Sequence, residues 1–537
     1  MADASFDVKV SVDLSSKLGP FNPMHRFFGC DEPNYASMPA GQRLLGELGK
    51  VGAGQPVFFR THNLFCTGDG KPALKWGSTN LYTEEENGRG TFDFTIIDRI
   101  FDAYRDHNVK PYVQLGFMPK ALSRKPEPYQ HHWTPAAKYD EIYTGWSYPP
   151  NDFAKWGEVV FRFTQHLVER YGKAEAETWY WETWNEPNIG YWRGTPAEFH
   201  MLHDHAIAAV KHALPTAKVG GPDCAGYGAQ WMKDFLAHVL DGRNHATGEK
   251  GTPTDFVSFH AKGMPKFVDG HVQMGIAAQL REIENGFKLI AADERTKKLP
   301  IVIGESDPEG CAACQGPSLG YRNGTMYSSY TAASFARKWE LADRHGVTLD
   351  GALTWAFLFE DQPPFAGFRV LASGMVDHAV MNVFRMFGQM AGTRVRAISD
   401  GAVALDDIVQ HGVRGAKADV GSMATSTEKS VAVLLWHYHD DDLAGPDANV
   451  TLSIDSIPSA RVRLREQRID TTHGNAFNTW KAMGEPKTLD ESQLRQLQAD
   501  AALPTIRDDA IEVAGGRASV DVKLPRQGVL LVTVDWA

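Results

Sequence analysis

TWYWETWNEPN, residues 178–188, is an aromatic, apolar run that ends in an asparagine, a glutamate and a proline. A near-continuous apolar run of this length suits a strand buried on both faces of a parallel sheet. Pro187 has no N–H to donate, so it ends the pairing. Asn185 and Glu186 therefore emerge at the C-terminal lip of the strand, and in a barrel of parallel strands that lip faces a cavity.

Working outward, the same grammar repeats on both sides. HRFFGC (25–30), VFFRTH (57–62), PYVQLGF (111–117), KVGGPD (218–223), DFVSFH (255–260), LPIVIGE (299–305) and GALTWAF (351–357) are short apolar runs of the same kind. Helix-period segments lie between them: in FTIIDRIFDAY, Phe94, Ile97, Phe101 and Tyr104 fall on one face, and FRFTQHLVERY and SFARKWELADRHG behave alike. Eight strand and helix pairs are the count of an α/β fold of the (β/α)8 TIM-barrel type, which predicts a catalytic barrel over 15–365. Beyond it SVAVLLWHYH, NVTLSID, ARVRLREQRID, ASVDVKL and GVLLVTVDWA read as strands with partial alternation, divided by Pro, Gly and Asp turns. A C-terminal β-sandwich over 366–537 is expected, joined by an N-terminal strand, 1–14, that carries the alternating VKVSVDL.

The 537 residues are 43% hydrophobic and 23% charged, ordinary values for a globular protein with a sizeable core. A formal net charge of −11 repels phosphate backbones, and no long Lys/Arg run overrides it, so nucleic acid is not an expected partner. MADASFDVKVSVDLSS has no basic segment followed by an apolar one, and no later stretch is long enough to span a bilayer. A cytoplasmic protein without membrane attachment is the expectation, with a homo-oligomer left open. Five cysteines are few and odd in number, which predicts free thiols. Cys311 and Cys314 have metal-ligand spacing but no second pair nearby to complete four ligands.

A second strand ends as the first does: LPIVIGE places Glu305 at the lip of the seventh barrel strand. Either glutamate alone reads as a loop charge. Two carboxylates on separate strands at one rim have a specific use, in which one protonates a leaving oxygen while the other attacks or stabilises the cationic centre. Glycoside hydrolysis needs that pair. Trp179, Trp181, Trp184 and Trp192 flank the motif and would suit stacking on sugar faces, although tryptophans also fill cores.

At these residues the chain resembles the clan of barrel glycosidases whose acid/base and nucleophile follow strands four and seven. Within that clan FFRTH, WNEPN, VSFH, VIGES, LTWAF and VLLWHYHDDD are similar to glycoside hydrolase family 39, which holds β-D-xylosidases and α-L-iduronidases. The resemblance implies that Glu186 is a general acid/base, protonated at rest, and that Glu305 is an ionised nucleophile about 5 to 5.5 Å away, with retention of configuration. It further implies that Asn185 bonds the sugar 2-hydroxyl, that His62 and His260 bind hydroxyls, that Trp355 forms an apolar wall and that Glu360 reaches a distal hydroxyl. The function so implied is an exo-acting β-D-xylosidase releasing xylose from the non-reducing end of short xylo-oligosaccharides by double displacement. A uronate or arabinoside hydrolase of the iduronidase kind is the alternative, and a non-catalytic carbohydrate-binding barrel the remote one. No cofactor and no metal is implied.

The chain departs from the xylosidase pattern at Lys262, two residues after His260, where family xylosidases carry an aromatic residue and iduronidases a lysine that meets a substrate carboxylate. Arg369 would be a second cation for such a carboxylate, whereas Glu360 would repel it. His437, His439, Asp440, Asp441 and Asp442 resemble a metal cluster but read as a strand end with a solvated turn.

Overall fold

The computed structural model describes residues 5–355, 359–360 and 362–536. One sheet is parallel throughout, and its order follows the chain: β2 (Phe27–Cys30), β3 (Val57–Thr61), β4 (Val109–Leu115), β5 (Tyr180–Thr183), β6 (Lys218–Cys224), β7 (Phe256–His260), β8 (Ile301–Glu305), then β9 (Leu349–Ala352) and β10 (Thr354–Trp355). The eighth apolar run is thus broken in two. β9 pairs with β8, and β10 crosses to pair with β2, which closes the barrel. Residues 356 and 357 of that run lie outside the described residues. The short strands β2, β3, β5, β7 and β8 are buried at every position, as strands covered on both faces must be.

Eight helices clad the barrel: α1 (Pro39–Leu48), α2 (Thr95–Asp106), α3 (Phe153–Tyr171), α4 (Pro196–Ala213), α5 (Ala229–Asp241), α6 (Ile276–Ile290), α7 (Thr325–His345) and α8 (Ala379–Phe387). In α2 the buried Ile97, Ile100, Phe101 and Tyr104 recur at helical spacing. Asp152 caps α3 by accepting from the Ala154 and Lys155 amides, and Thr195 with Glu198 forms a capping box on α4. Phe384 of α8 meets Phe28 of β2 edge-on at 5.1 Å, so barrel elements continue past residue 365.

A second, nine-stranded sheet is built from β1 (Phe6–Pro20) and the C-terminal strands β11 (Thr393–Ser399), β12 (Asp419–Ser426), β13 (Ser430–Tyr438), β14 (Ala448–Asp455), β15 (Arg461–Ile469), β16 (Thr505–Glu512), β17 (Ala518–Leu524) and β18 (Val529–Asp535). β1 runs antiparallel to β11 and parallel to β14. The layers of the sandwich stay hydrogen-bonded as one sheet folded over one core, in which Val8, Val10 and Val12 meet Val433, Leu452 and Val532. β13 is apolar on both faces because it serves two cores: Val431, Val433 and Leu435 face the sheet's own core, and Ala432, Leu434 and Trp436 join the barrel's. Three short helices interrupt this all-strand grammar: α9 (Leu405–His411), α10 (Ala476–Ala482) and α11 (Glu491–Ala501). They were not expected, because most positions of α10 and α11 are exposed or half-exposed and leave a weak apolar stripe.

Candidate active site

The C-terminal ends of the barrel strands converge on one buried charge network. Its centre is Arg60 of β3, fully buried, which donates to Glu182 at 2.8 Å, to the Asn185 carbonyl oxygen at 3.1 Å and to a His62 ring nitrogen at 2.7 Å. Arg60 also pairs with Asp223 at the end of β6 and lies 3.9 Å from Glu305. Trp184, Glu186 and Asp223 all have positive φ, at 69°, 43° and 53°. Such backbone is disfavoured for these residue types and persists only where the surroundings fix it. The Glu186 amide donates to the Asp223 carbonyl at 2.9 Å, which ties the two lips together. Gly304 is required beneath them: a Cβ there would stand 1.9 Å from an Asp223 carboxylate oxygen.

Glu186 and Glu305 face each other across this network. A carboxylate oxygen of each, with a His260 ring nitrogen, forms a group whose atoms all lie within 4.8 Å of one another. Lys262 sits between the two glutamates, its ammonium 3.3 Å from Glu186 and in direct contact with Glu305. The three residues have ligand spacing for a cation, and the Lys262 ammonium fills that role. His260 donates one ring N–H to Glu186 at 2.8 Å and the other to Asp223 at 2.7 Å. Burial alone would lower the His260 pKa, but Asp223 and Glu305 prevail and hold it up at about 9, so the ring is an imidazolium at neutral pH.

This changes the resting state of Glu186. Burial would raise its carboxyl, yet the Lys262 ammonium and the His260 imidazolium hold it well below the ordinary glutamate range. The resemblance implied a protonated side chain at rest; in this conformation it is a carboxylate. Glu182, deeper in the barrel, moves the other way. Burial and the neighbouring Asp223 push it up to about 7, against the pull of Arg60.

The histidines are also placed differently from expectation. His62 donates Nδ1–H to Asp31 at 2.8 Å and accepts from Arg60 at Nε2, and burial keeps it neutral. Both nitrogens of His62 and both of His260 are therefore engaged by protein groups. In this conformation these rings position charged neighbours. The Asn185 side-chain carbonyl oxygen takes the Arg60 bond, while its buried amide nitrogen has no partner among the described residues. Trp355 lines the inner lobe of the cavity and packs on His62 at 4.6 Å between ring centroids. It can lie there because Gly29 below it has no side chain; a Cβ would meet the indole at 2.6 Å. Glu360 is half-buried and is not among the residues lining either lobe.

Sequence reasoning missed Arg60, Asp31, Lys75, Asp223, Asp307 and Glu309. Lys75 donates to Asp31 at 2.7 Å in the inner lobe. Arg369, expected as a second cation for a substrate carboxylate, is clamped by Asp307 at 2.5 Å and Glu309 at 2.6 Å. Burial raises Asp307 to about 6 despite that arginine.

Cys311 and Cys314 are not free thiols but a disulfide, and both line the outer lobe of the cavity. Arg322 holds the loop in the shape that joins them, donating to the Cys311 and Cys314 carbonyls at 2.6 Å each. The remaining three cysteines are free and buried. The histidine and aspartate cluster of the second sheet also disperses. His437 turns to the Leu524 carbonyl at 3.0 Å and His439 to that of Gly415 at 3.1 Å. Asp440 is buried rather than solvated; it accepts from the Tyr438 hydroxyl at 2.6 Å, and burial raises it to about 6. No helix among the described residues is long and apolar enough to cross a membrane.

Comparison with known proteins places this geometry. The sequence model of glycosyl hydrolases family 39 matches residues 74–517. A β-xylosidase of Geobacillus stearothermophilus is 27% identical over 465 residues, covering 83% of this chain and 81% of that one. The human α-L-iduronidase is 24% identical over 490 residues, covering 86% and 69%. In fold, the chain is similar to the crystal structure of a monomeric β-xylosidase from Caulobacter crescentus CB15, with a TM-score of 0.76 at 22% identity over 98% and 99% of the two chains.

Proposed function

Because the chain belongs to glycosyl hydrolases family 39 and is a glycoside hydrolase, we propose that it is a retaining, exo-acting β-D-xylosidase with Glu305 as nucleophile and Glu186 as general acid/base. The observation that carries this reading is the approach of the two carboxylates to within 4.8 Å. Retaining enzymes place the pair about 5 to 5.5 Å apart, whereas inverting enzymes leave about 6.5 to 9.5 Å for a water.

The inner lobe has about 10 Å³ of open volume, room for one water and not for a pyranose ring. Lys262 must swing out for a sugar to enter, and its departure removes the main charge that keeps Glu186 ionised. With the ammonium gone, burial pulls Glu186 toward the protonated form against the remaining His260 imidazolium. Sugar entry thus moves Glu186 toward its acid form. Glu186 then protonates the glycosidic oxygen as Glu305 attacks the anomeric carbon; once the charge on Glu305 is consumed in the ester, Glu186 serves as base for water. Asn185 offers its unpartnered N–H to the 2-hydroxyl, a bond that strengthens toward the oxocarbenium ion.

Pentose is favoured over uronate by charge. The cations lining the inner lobe, Lys75, Lys262 and Arg369, are each paired with carboxylates already. A substrate carboxylate would enter beside Asp31, Glu186 and Glu305, with Lys75 and Arg369 held by Asp31 and Asp307 and the displaced Lys262 as its one candidate partner among these three cations. The test is hydrolysis of 4-nitrophenyl β-D-xyloside against the α-L-iduronide. Turnover of the xyloside alone is expected, and turnover of the iduronide alone overturns the reading.

Lys262→Met supplies a second check. Removing the ammonium raises the Glu186 pKa in the free enzyme, so the alkaline limb of the kcat/KM profile should move to higher pH. An unmoved limb would show that Lys262 does not set the charge of the acid.

A further inference from the structure

Past the two glutamates the cavity opens into an outer lobe of about 780 Å³. This is where a leaving group must lie, because the inner lobe behind the carboxylates is closed. Its wall is unusual for a sugar subsite. Ile189, Tyr227, Met264, Leu319 and the Cys311–Cys314 disulfide form it. Ile189 is 39% and Met264 64% exposed, two of the few large apolar side chains that the described residues leave in water. A third, Phe267 at 51%, stands on the hairpin that follows Met264.

Three of the polar side chains in the same wall bond to the protein. Asn188 donates to the Ala225 carbonyl at 2.9 Å and accepts from the Ala225 amide at 2.8 Å. Glu282 accepts from the Tyr227 amide at 3.1 Å. Glu309 accepts from the Tyr321 hydroxyl at 2.9 Å and the Cys311 amide at 2.6 Å, besides its pairs with Arg322 and Arg369. A second xylose in this lobe would bring several hydroxyls to a surface whose Asn188 amide and Glu309 carboxylate are already engaged. Burying them there leaves hydrogen bonds unmade, which binding sites penalise strongly. An apolar group would instead cover Ile189 and Met264 and lay a flat face on the Tyr227 ring.

We propose that the leaving group is an apolar alcohol or phenol of aryl or fused-ring type, so that the enzyme is a xylosidase of hydrophobic xylosides rather than of xylo-oligosaccharides. This rests on the β-xylosidase reading. Water adds across the anomeric C–O bond and the products are xylose and the free aglycone.

The test compares octyl β-D-xyloside with methyl β-D-xyloside, whose alkoxide leaving groups are similarly basic, so that their kcat/KM ratio reports the outer lobe, and with xylobiose, whose leaving group is the less basic. The octyl glycoside should exceed each of the other two by about tenfold or more, consistent with burial of several methylenes. The double variant Ile189→Ser, Met264→Ser should reduce the octyl-to-methyl ratio about tenfold, since a tenfold change is about 1.4 kcal/mol of lost apolar contact. Xylobiose cleaved as well as or better than the octyl glycoside overturns this inference alone. No turnover of any of the three overturns it together with the β-xylosidase reading.

Discussion

Glu305→Ala is expected to lower kcat on 4-nitrophenyl β-D-xyloside by about 10⁴-fold or more, because no covalent intermediate can form. Glu186→Ala should behave differently. Nitrophenolate departs without a proton, so the first step survives and the glycosyl-enzyme accumulates, visible as a burst of nitrophenol before a slow steady state. On a glycoside with a basic alkoxide the same variant should lose about 10² to 10⁴, the usual contribution of a positioned general acid. Azide, which needs no base, should restore turnover of the activated substrate in Glu186→Ala and yield the β-configured xylosyl azide. Product of inverted configuration, or equal residual activity in the two variants, would contradict the assigned roles. One oxygen of each carboxylate lies within 4.8 Å of one of the other, closer than an inverting pair with a water between its carboxyls, and retention is expected.

Arg60→Met should be the most destabilising single change in the barrel. Arg60 is fully buried, and it compensates two fully buried carboxylates, Glu182 and Asp223, that have no exposure to water. Leaving such charges uncompensated costs roughly 3 to 5 kcal/mol. The methionine fills a similar volume, so a cavity is not the cause of the loss. Thermal unfolding followed by near-UV dichroism should show a large fall in the midpoint of the barrel transition. Arg60→Lys keeps a charge but cannot reach Glu182, Asp223, Asn185 and His62 together, since an ammonium lacks the planar fork of five donors. It should recover part of the stability and little of the activity, because the Asn185 side chain would lose its anchor. Unaltered midpoints in both variants would show that the network contributes nothing net.

How much of this was legible in the sequence follows from how local each feature is. The barrel strands were readable because each is a short apolar run buried on both faces, and the lip of β5 was marked by Pro187. The break between β9 and β10 was not, since GALTWAF is uninterrupted as a pattern and the split arises only from closing the circle onto β2. Arg60 was in plain view inside VFFRTH; a guanidinium in a strand covered on both faces has to find carboxylates within the barrel, and Asp223 ended another quoted run. Asp31 stands one residue past HRFFGC. The pairing of Arg369 with Asp307 and Glu309 joins loops about 60 residues apart, which no spacing rule predicts. Cys311 and Cys314 carry a spacing that serves metal, redox or neither, and the disulfide depends on Arg322 shaping the loop. For His62 and His260 the residue type suited either a sugar contact or a satisfied core histidine. Only the distances to Asp31, Asp223 and Glu186 show which protein groups their ring nitrogens meet.

The placement of β1 bears on how the polypeptide is made. This strand leaves the ribosome before the other described strands, yet its neighbours β11 and β14 are encoded at residues 393–399 and 448–455. The barrel can close while residues 6–20 wait with Val8, Val10 and Val12 in water. A fragment truncated after α8 would keep that waiting ribbon for good, with unsatisfied amides along both margins and an apolar row on one side, the pattern that templates intermolecular pairing. Shortened versions of the enzyme should therefore be cut at both termini together.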